Sequence, residues 1–267
     1  MKVLIAGVGN MGKTYAKSLL SSHFTGPADL LLLDKGSEID LALKSVPAGN
    51  FLQSPSVAVS SADIIIMAVK PQDFQALAVL MKPFLHEEQI ILSIMAGIKM
   101  ETLSAQLGIR KIVRSMPNLP AQVGMGMTIF TCLPALDKKE LFIIQNLINT
   151  TGKSVYVEDE ALINAATALS GSGPAYVYYF MEAMIQAGMK MGFSQSQAEL
   201  MVNQTFMGAV LLHNRNELTC GEWIERVASK GGTTEAALKV FKDNELQSKI
   251  ADGLYSALNR AKQLGGG

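Results

Sequence analysis

Lys2-Val3-Leu4-Ile5-Ala6-Gly7-Val8-Gly9-Asn10-Met11-Gly12 is a short apolar run that feeds a G-x-G-x-x-G turn and then helix-forming sequence. That order predicts a strand, a tight turn and a helix shaped to hold a dinucleotide. The first glycine permits the turn, the second lets a pyrophosphate approach the backbone, and the third lets the helix lie close on its strand. The N–H groups of the first helical turn, at the positive end of the helix dipole, then face the phosphates. Read for packing alone, the same glycines make an ordinary corner between strand and helix. Their place at the head of an alternating pattern favours the dinucleotide.

Outward from that turn, the apolar runs Leu30–Leu33, Ile64–Val69, Ile90–Ile94 and Ile112–Val113 are too short for helices and rich in branched aliphatics, as strands buried on both faces require. Met127–Cys132 and Ser154–Val157 read as later strands, with a helix over Lys138–Asn149 between them. The alternation predicts an α/β fold: a Rossmann-type doubly wound sheet, mostly parallel and covered on both faces. From about Asp159 the strand signal ends. Helices are expected over Ala161–Leu169, Ala175–Met191, Ser196–His213, Cys220–Val227, Thr234–Phe241 and Leu246–Leu264, punctuated at Gly171–Gly173, Gly192 and Gly231-Gly232. The 267 residues therefore divide into a dinucleotide-binding domain over 1–158 and an all-helical domain over 159–267. The helix beginning at Ala175 is apolar on nearly all sides, more than a small domain buries alone. Burial against a second copy is the natural solution, and a central helix of a monomeric bundle is the alternative. Gly265–Gly267 reads as a frayed tail.

Composition narrows the function classes. Hydrophobic residues make up 49% of the chain, ample for globular cores. The 23 basic residues balance 23 acidic ones with no long run of either sign, so neither nucleic acid nor an anionic membrane is an expected partner. Cys132, Cys220, His23, His86 and His213 stand at no metal or redox spacing, so no metal is expected. Val3–Ala6 is too short for a signal peptide and no stretch reaches membrane-spanning length without polar breaks, which points to a reducing cytoplasm.

Candidate binding residues cluster at strand ends. Asp34 closes the second strand at the distance where an acidic residue holds the adenosine ribose hydroxyls, which favours NAD. Lys35 follows as a cation able to meet a 2′-phosphate, with further donors in Gly36-Ser37, so the choice between NADH and NADPH stays open. Alternatively, Asp34 is a turn residue and Ser37 caps the next helix with Asp40. Val69-Lys70-Pro71 lies at the carboxyl edge where open α/β sheets bind ligands, although a lysine before a helix-starting proline is also ordinary. Ser93-Ile94-Met95-Ala96-Gly97 ends the next strand with small residues, and Arg114-Ser115-Met116-Pro117-Asn118 ends another. In the helical half, Ser229-Lys230-Gly231-Gly232-Thr233-Thr234-Glu235 presents N–H and O–H donors at a helix start, a setting for a small carboxylate or for a simple Thr-capped helix.

These motifs, with Leu169-Ser170-Gly171-Ser172-Gly173-Pro174-Ala175-Tyr176, occur in an order that resembles the pyrroline-5-carboxylate reductase family over nearly the whole chain. The last two motifs are the specific ones. The resemblance implies reduction of the cyclic imine L-1-pyrroline-5-carboxylate to L-proline by NADPH or NADH, the final step of proline biosynthesis. It also implies a helical C-terminal domain forming an interlocked homodimer, which in some members assembles into decamers. Carried over by motif, Gly7, Val8, Gly9, Asn10, Met11 and Gly12 cradle the pyrophosphate, Ala68, Val69, Lys70 and Pro71 line the nicotinamide half, and Met95, Ala96 and Gly97 support it. Ser229, Gly231, Gly232, Thr233 and Thr234 hold the substrate, with the ring nitrogen within reach of the Thr234 hydroxyl.

No His, Asp or Glu stands in these motifs as an obvious acid, so either the imine enters protonated or Thr234, directly or through water, hydrogen-bonds its nitrogen. Acceleration then comes chiefly from positioning two reactants. The chain departs from the family pattern at Lys230, where proline is common, at Leu119 in Met116-Pro117-Asn118-Leu119-Pro120, where threonine is usual, and at Met95, which replaces a small residue. None of the three is assigned to catalysis. A β-hydroxyacid-type dehydrogenase is the competing enzyme class, but its catalytic lysine position after the Gly-Ser-Gly segment holds Val177. A non-catalytic dinucleotide sensor is the other alternative, opposed by the retained threonine loop.

Overall fold

The computed structural model describes residues 1–36 and 43–264. Ser37 with Asp40, suggested as a helix cap, Ser37 as a phosphate donor, and the tail Gly265–Gly267 all lie outside the described residues.

The first part of the chain runs β1 (Val3–Ala6), α1 (Asn10–Ser21), β2 (Leu30–Leu33), β3 (Phe51–Leu52), β4 (Ile64–Met67), α2 (Pro71–Met81), β5 (Ile90–Ser93), α3 (Met100–Leu107), β6 (Ile112–Met116), β7 (Gly126–Cys132), α4 (Lys138–Asn149) and β8 (Gly152–Tyr156). The strands form one sheet in the order β3-β2-β1-β4-β5-β6-β7-β8. All neighbouring pairs are parallel except β6 with β7. The short connection from Met116 to Gly126 leaves no room for a crossover helix, so the chain turns back antiparallel.

Side chains alternate across each strand, and helices cover both faces. From β1, Val3 and Ile5 join the core made by Tyr15, Ala16 and Leu19 of α1 and Ile144, Leu147 and Ile148 of α4. Leu4 and Ala6 point the other way, to Phe74, Ala78 and Met81 of α2 and Leu103 and Leu107 of α3. Burial on both faces is why β1, β2 and β4 read as unbroken apolar runs and why β5 is apolar up to its last residue, Ser93. α4 is opened by a reciprocal cap in which Asp137 accepts the Glu140 N–H and Glu140 accepts the Asp137 N–H. The Tyr15 hydroxyl is sealed inside with Thr128 and Thr151 as polar neighbours but no well-formed hydrogen bond, and burial pushes it up to about 12.

After β8 come α5 (Ala161–Ala166), a single π turn at Thr167–Gly171, α6 (Gly173–Lys190), α7 (Gln195–Asn214), α8 (Cys220–Val227), α9 (Thr233–Asp243) and α10 (Leu246–Leu264). The Rossmann-type sheet followed by helices is the fold class expected from the sequence. Met1–Gly173 with Ala257–Gly267 makes one compact unit and Pro174–Ser256 a second. Within the second unit α7 and α8 start at reciprocal caps, Ser194 with Gln197 and Thr219 with Glu222. The Arg226 guanidinium lies 5.5 Å from the centre of the Trp223 ring. Of the apolar side chains described there only Ala198 and Val202 are buried, while Tyr179 is 77%, Met191 77% and Leu200 70% exposed. Large apolar side chains exposed in such number are the composition of an association surface.

Candidate functional site

Gly7 follows β1, Asp34 follows β2 and Ala68–Lys70 follow β4, so the sheet order brings three strand ends to one edge where the chain's path reverses. There they line a cleft of about 320 Å³ that contains Gly7, Gly9, Asp34, Lys35, Ala68, Val69 and Lys70. The Gly7 N–H donates to the Leu33 carbonyl at 2.8 Å and the Ala68 N–H to the Ala6 carbonyl at 2.8 Å, extending the ladder past the strands. A β-carbon on Gly7, whose φ is +98°, would come within 2.6 Å of the Val69 nitrogen. One on Gly12 would overlap the Gly7 carbonyl. Packing therefore explains the first and third glycines, as a plain corner would. Gly9 differs: open space lies beside it, and it stands before α1, whose first turn has no side-chain cap. That is the position at which backbone approach by a phosphate needs glycine.

The remaining residues of the predicted cofactor set sit around this cleft differently. Val8 and Met11 pack on the α1-side core, and Gly12 is buried beneath the turn. Asn10, the first residue of α1, lines a separate surface cavity of about 770 Å³ with Lys13, Thr14 and Lys17. Lys70 precedes α2 and Pro71 is its first residue. Met95 is buried in the core under α2 and α3, Ala96 is half-buried, and Gly97 turns the chain at φ +78°; none of the three lines the cleft. The cleft also holds residues the sequence reading missed: Gln53, Ser54 and Pro55 after β3, and Asp73, Ala76, Leu77 and Leu80 of α2. The α2 set has the spacing of one helix face, a signal available in the sequence once the helix is placed.

Arg114-Ser115-Met116-Pro117-Asn118 proves to be the hub of a clamp. The buried Arg114 donates to Glu160 Oε1 at 2.8 Å and to Asn164 Oδ1 at 3.0 Å. The same Glu160 oxygen accepts the Met100 N–H at 2.8 Å, tying β6, α5 and the start of α3 together. Asn118 donates to the Ser170 carbonyl and hydroxyl, both at 3.3 Å, and accepts the Met127 N–H at 2.8 Å. The motif around Ser170 and the motif around Asn118, far apart in sequence, thus meet at the π turn.

In the second unit, Gly231 adopts φ +73° and the Gly232 N–H donates to the Ser229 carbonyl at 2.9 Å. A β-carbon on Gly232 would come within 2.9 Å of the Ser229 carbonyl oxygen and 2.5 Å of its hydroxyl; the hydroxyl can turn away but the carbonyl is backbone, so the turn favours glycine there. Gly232 is the residue before α9 and supplies no side chain to its end. The simple Thr-capped reading therefore fails, because Thr233 and Thr234 lie inside the first turn. Glu235 reaches back from that turn to accept the Gly231 N–H at 2.6 Å. Ser229, Gly231, Gly232, Thr233 and Thr234 are in this way collected at one helix start.

Among the described residues no cluster of His, Cys, Asp and Glu can hold a metal, and no helix is long and apolar enough to cross a membrane. Residues 160–264 match the family model for pyrroline-5-carboxylate reductase dimerisation, and residues 2–97 match that for NADP oxidoreductase coenzyme F420-dependent. The pyrroline-5-carboxylate reductase of Pseudomonas aeruginosa is 34% identical over 98% of this chain and 96% of its own. That of Staphylococcus aureus is 31% identical over 99% and 98%. The crystal structure of Plasmodium falciparum pyrroline carboxylate reductase with NADP bound superposes with a TM-score of 0.89 at 26% identity, over 99% of this chain and 98% of that one.

Proposed function

The chain belongs to the pyrroline-5-carboxylate reductase family, and from that premise we propose which of its residues serve the reaction. It is an NAD(P)H-dependent oxidoreductase of proline biosynthesis that reduces L-1-pyrroline-5-carboxylate to L-proline. NAD(P)H supplies the hydride for the imine carbon. The open backbone at Gly9 fits a pyrophosphate, with Gly7 to Gly12 shaping the turn and α1 presenting its first N–H groups. Asp34 and Lys35 take the adenosine ribose, and Ala68 to Pro71 with Met95 to Gly97 take the nicotinamide half. We assign the dinucleotide domain to 1–158 and the substrate-binding and dimerisation domain to 159–267, in keeping with the reach of the dimerisation model.

The observation that carries the substrate assignment is the start of α9, left without a side-chain cap behind the Ser229–Thr234 turn. Its N–H groups and the hydroxyls of Ser229, Thr233 and Thr234 suit a small carboxylate. The Thr234 hydroxyl hydrogen-bonds the ring nitrogen, accepting from its N–H when the imine enters protonated and donating to its lone pair when it enters neutral, and either contact leaves the imine carbon electrophilic toward hydride. Rate enhancement comes from fixing two reactants at attack distance. The helical unit acts as a homodimer, the building block of any larger assembly such as a decamer. The chain's two cysteines, Cys132 of β7 and Cys220 of α8, are free thiols, which fits a cytoplasmic setting.

The test follows the near-ultraviolet absorbance of reduced nicotinamide with purified protein, pyrroline-5-carboxylate and either NADPH or NADH. Turnover is expected, and Thr234→Ala is expected to lower kcat/KM about a hundredfold with nucleotide affinity and melting temperature preserved. Undiminished turnover in Thr234→Ala would remove that residue from the mechanism. Binding of nucleotide with no turnover by the wild-type protein would sink the reaction and favour a sensing role.

A further inference from the structure

We propose that Asp34 makes this reductase select NADH over NADPH. The inference rests on the placement of the adenosine ribose in the cleft at Asp34. Asp34 is held on both carboxylate oxygens by backbone donors: Oδ2 accepts the Val8 N–H at 2.6 Å and Oδ1 accepts the Gly36 N–H at 2.8 Å. Those donors come from opposite sides, one from the glycine-rich turn after β1 and one from the turn after β2. Two backbone donors on two different oxygens fix the carboxylate in place, and rotating it off the cleft wall costs these bonds. Each oxygen retains a lone pair, because a carboxylate accepts about four hydrogen bonds.

A fixed carboxylate at the ribose edge treats the two nucleotides differently. It accepts hydrogen bonds from vicinal hydroxyls, whereas a 2′-phosphate brings negative charge against negative charge inside a cleft walled by Leu33, Pro55, Ala76 and Leu77. Recognition of the phosphate needs cations arranged around it. The cleft supplies Lys35, next to Asp34, and Lys70, which follows β4. The sequence after Lys35 adds no Arg or Lys before Lys44. Moving Asp34 aside to admit the phosphate would also free the Val8 N–H and loosen the turn that carries Gly9.

The experiment titrates the nucleotide-free protein calorimetrically with ADP-ribose and with 2′-phospho-ADP-ribose. These probes report on the adenosine end alone and need no catalysis. The wild-type protein is expected to bind ADP-ribose tighter by about tenfold or more. Asp34→Asn, which keeps an acceptor oxygen, and Asp34→Ser are each expected to bring the two affinities within about threefold, through gain of the phosphorylated probe. Equal or tighter binding of the phosphorylated probe by the wild type overturns the proposal. So does equal weakening of both probes in the variants, the mark of a purely structural Asp34. Failure of ADP-ribose to bind overturns the ribose placement, and the turnover assay with pyrroline-5-carboxylate reports separately on the reductase reading.

Discussion

Inside the α1-side core, Tyr15 links a single hydroxyl to the behaviour of the folded state in alkali. Its proton leaves at about pH 10 in the unfolded chain and at about 12 in the folded one. Between those values the unfolded state has lost the proton and the folded state keeps it, so stability falls as pH rises, by up to about 1.4 kcal/mol per unit. Below that window the contribution is constant. Tyr15→Phe removes this part of the slope and leaves the smaller alkaline contributions of Tyr156 and Lys111, whose pKa values are also raised in the fold. Because the hydroxyl lacks a well-formed bond, the same substitution leaves stability at neutral pH unchanged or raises it by about 1 kcal/mol. Urea denaturation of both proteins at about pH 8 and about pH 11 checks this; parallel loss of stability in the two would discard the account. The three glycines of the first turn show the same resolution at residue level. Two are required by neighbours that a β-carbon would strike, and the one between them by space left open.

The sheet and helices depend on elements being pinned to one another, and the buried Arg114 with Glu160 is one such pin. The Arg114 side chain is 2% exposed and that of Glu160 26%. Glu160→Gln leaves a buried guanidinium without its counter-charge and is expected to cost about 3 kcal/mol. The paired replacement of Arg114 and Glu160 by methionine is expected to restore most of that, which separates a desolvation penalty from a loss of packing. If the double variant were as unstable as the single one, the clamp would owe its strength to shape instead of charge. At this scale the sequence was legible where periodicity is strong. Leu30–Leu33 and the Lys138–Asn149 helix stand where expected, because buried runs and an amphipathic stripe are local signals. Phe51–Leu52 is too short to show a period, and it forms because β2 offers it a partner. The π turn at Thr167–Gly171 takes up the end of the helix expected over Ala161–Leu169 and part of the expected break at Gly171–Gly173, with α6 starting already at Gly173, and Asn118 beneath it is a tertiary neighbour that local sequence does not announce. The cleft divides similarly. Asp34 and Ala68–Lys70 were readable as strand ends, whereas Gln53–Pro55 arrive through packing.

For the whole molecule, the exposed side chains of Tyr179, Met191 and Leu200 set the expectation of self-association. Sedimentation of the purified protein is expected to show a dimer or larger species, with a melting temperature that rises with protein concentration, as linkage requires when association stabilises the fold. Tyr179→Glu is expected to shift the population toward monomer. A concentration-independent monomer would refute the homodimer. The two compact units also differ in their chromophores. The chain has one tryptophan, Trp223, and it belongs to the helical unit beneath the Arg226 guanidinium. Indole emission is therefore a private channel for that unit, whereas the circular dichroism of strands comes from the other. A denaturation followed in both colours at once tells whether the molecule melts as one cooperative body or as two, without any label having been attached.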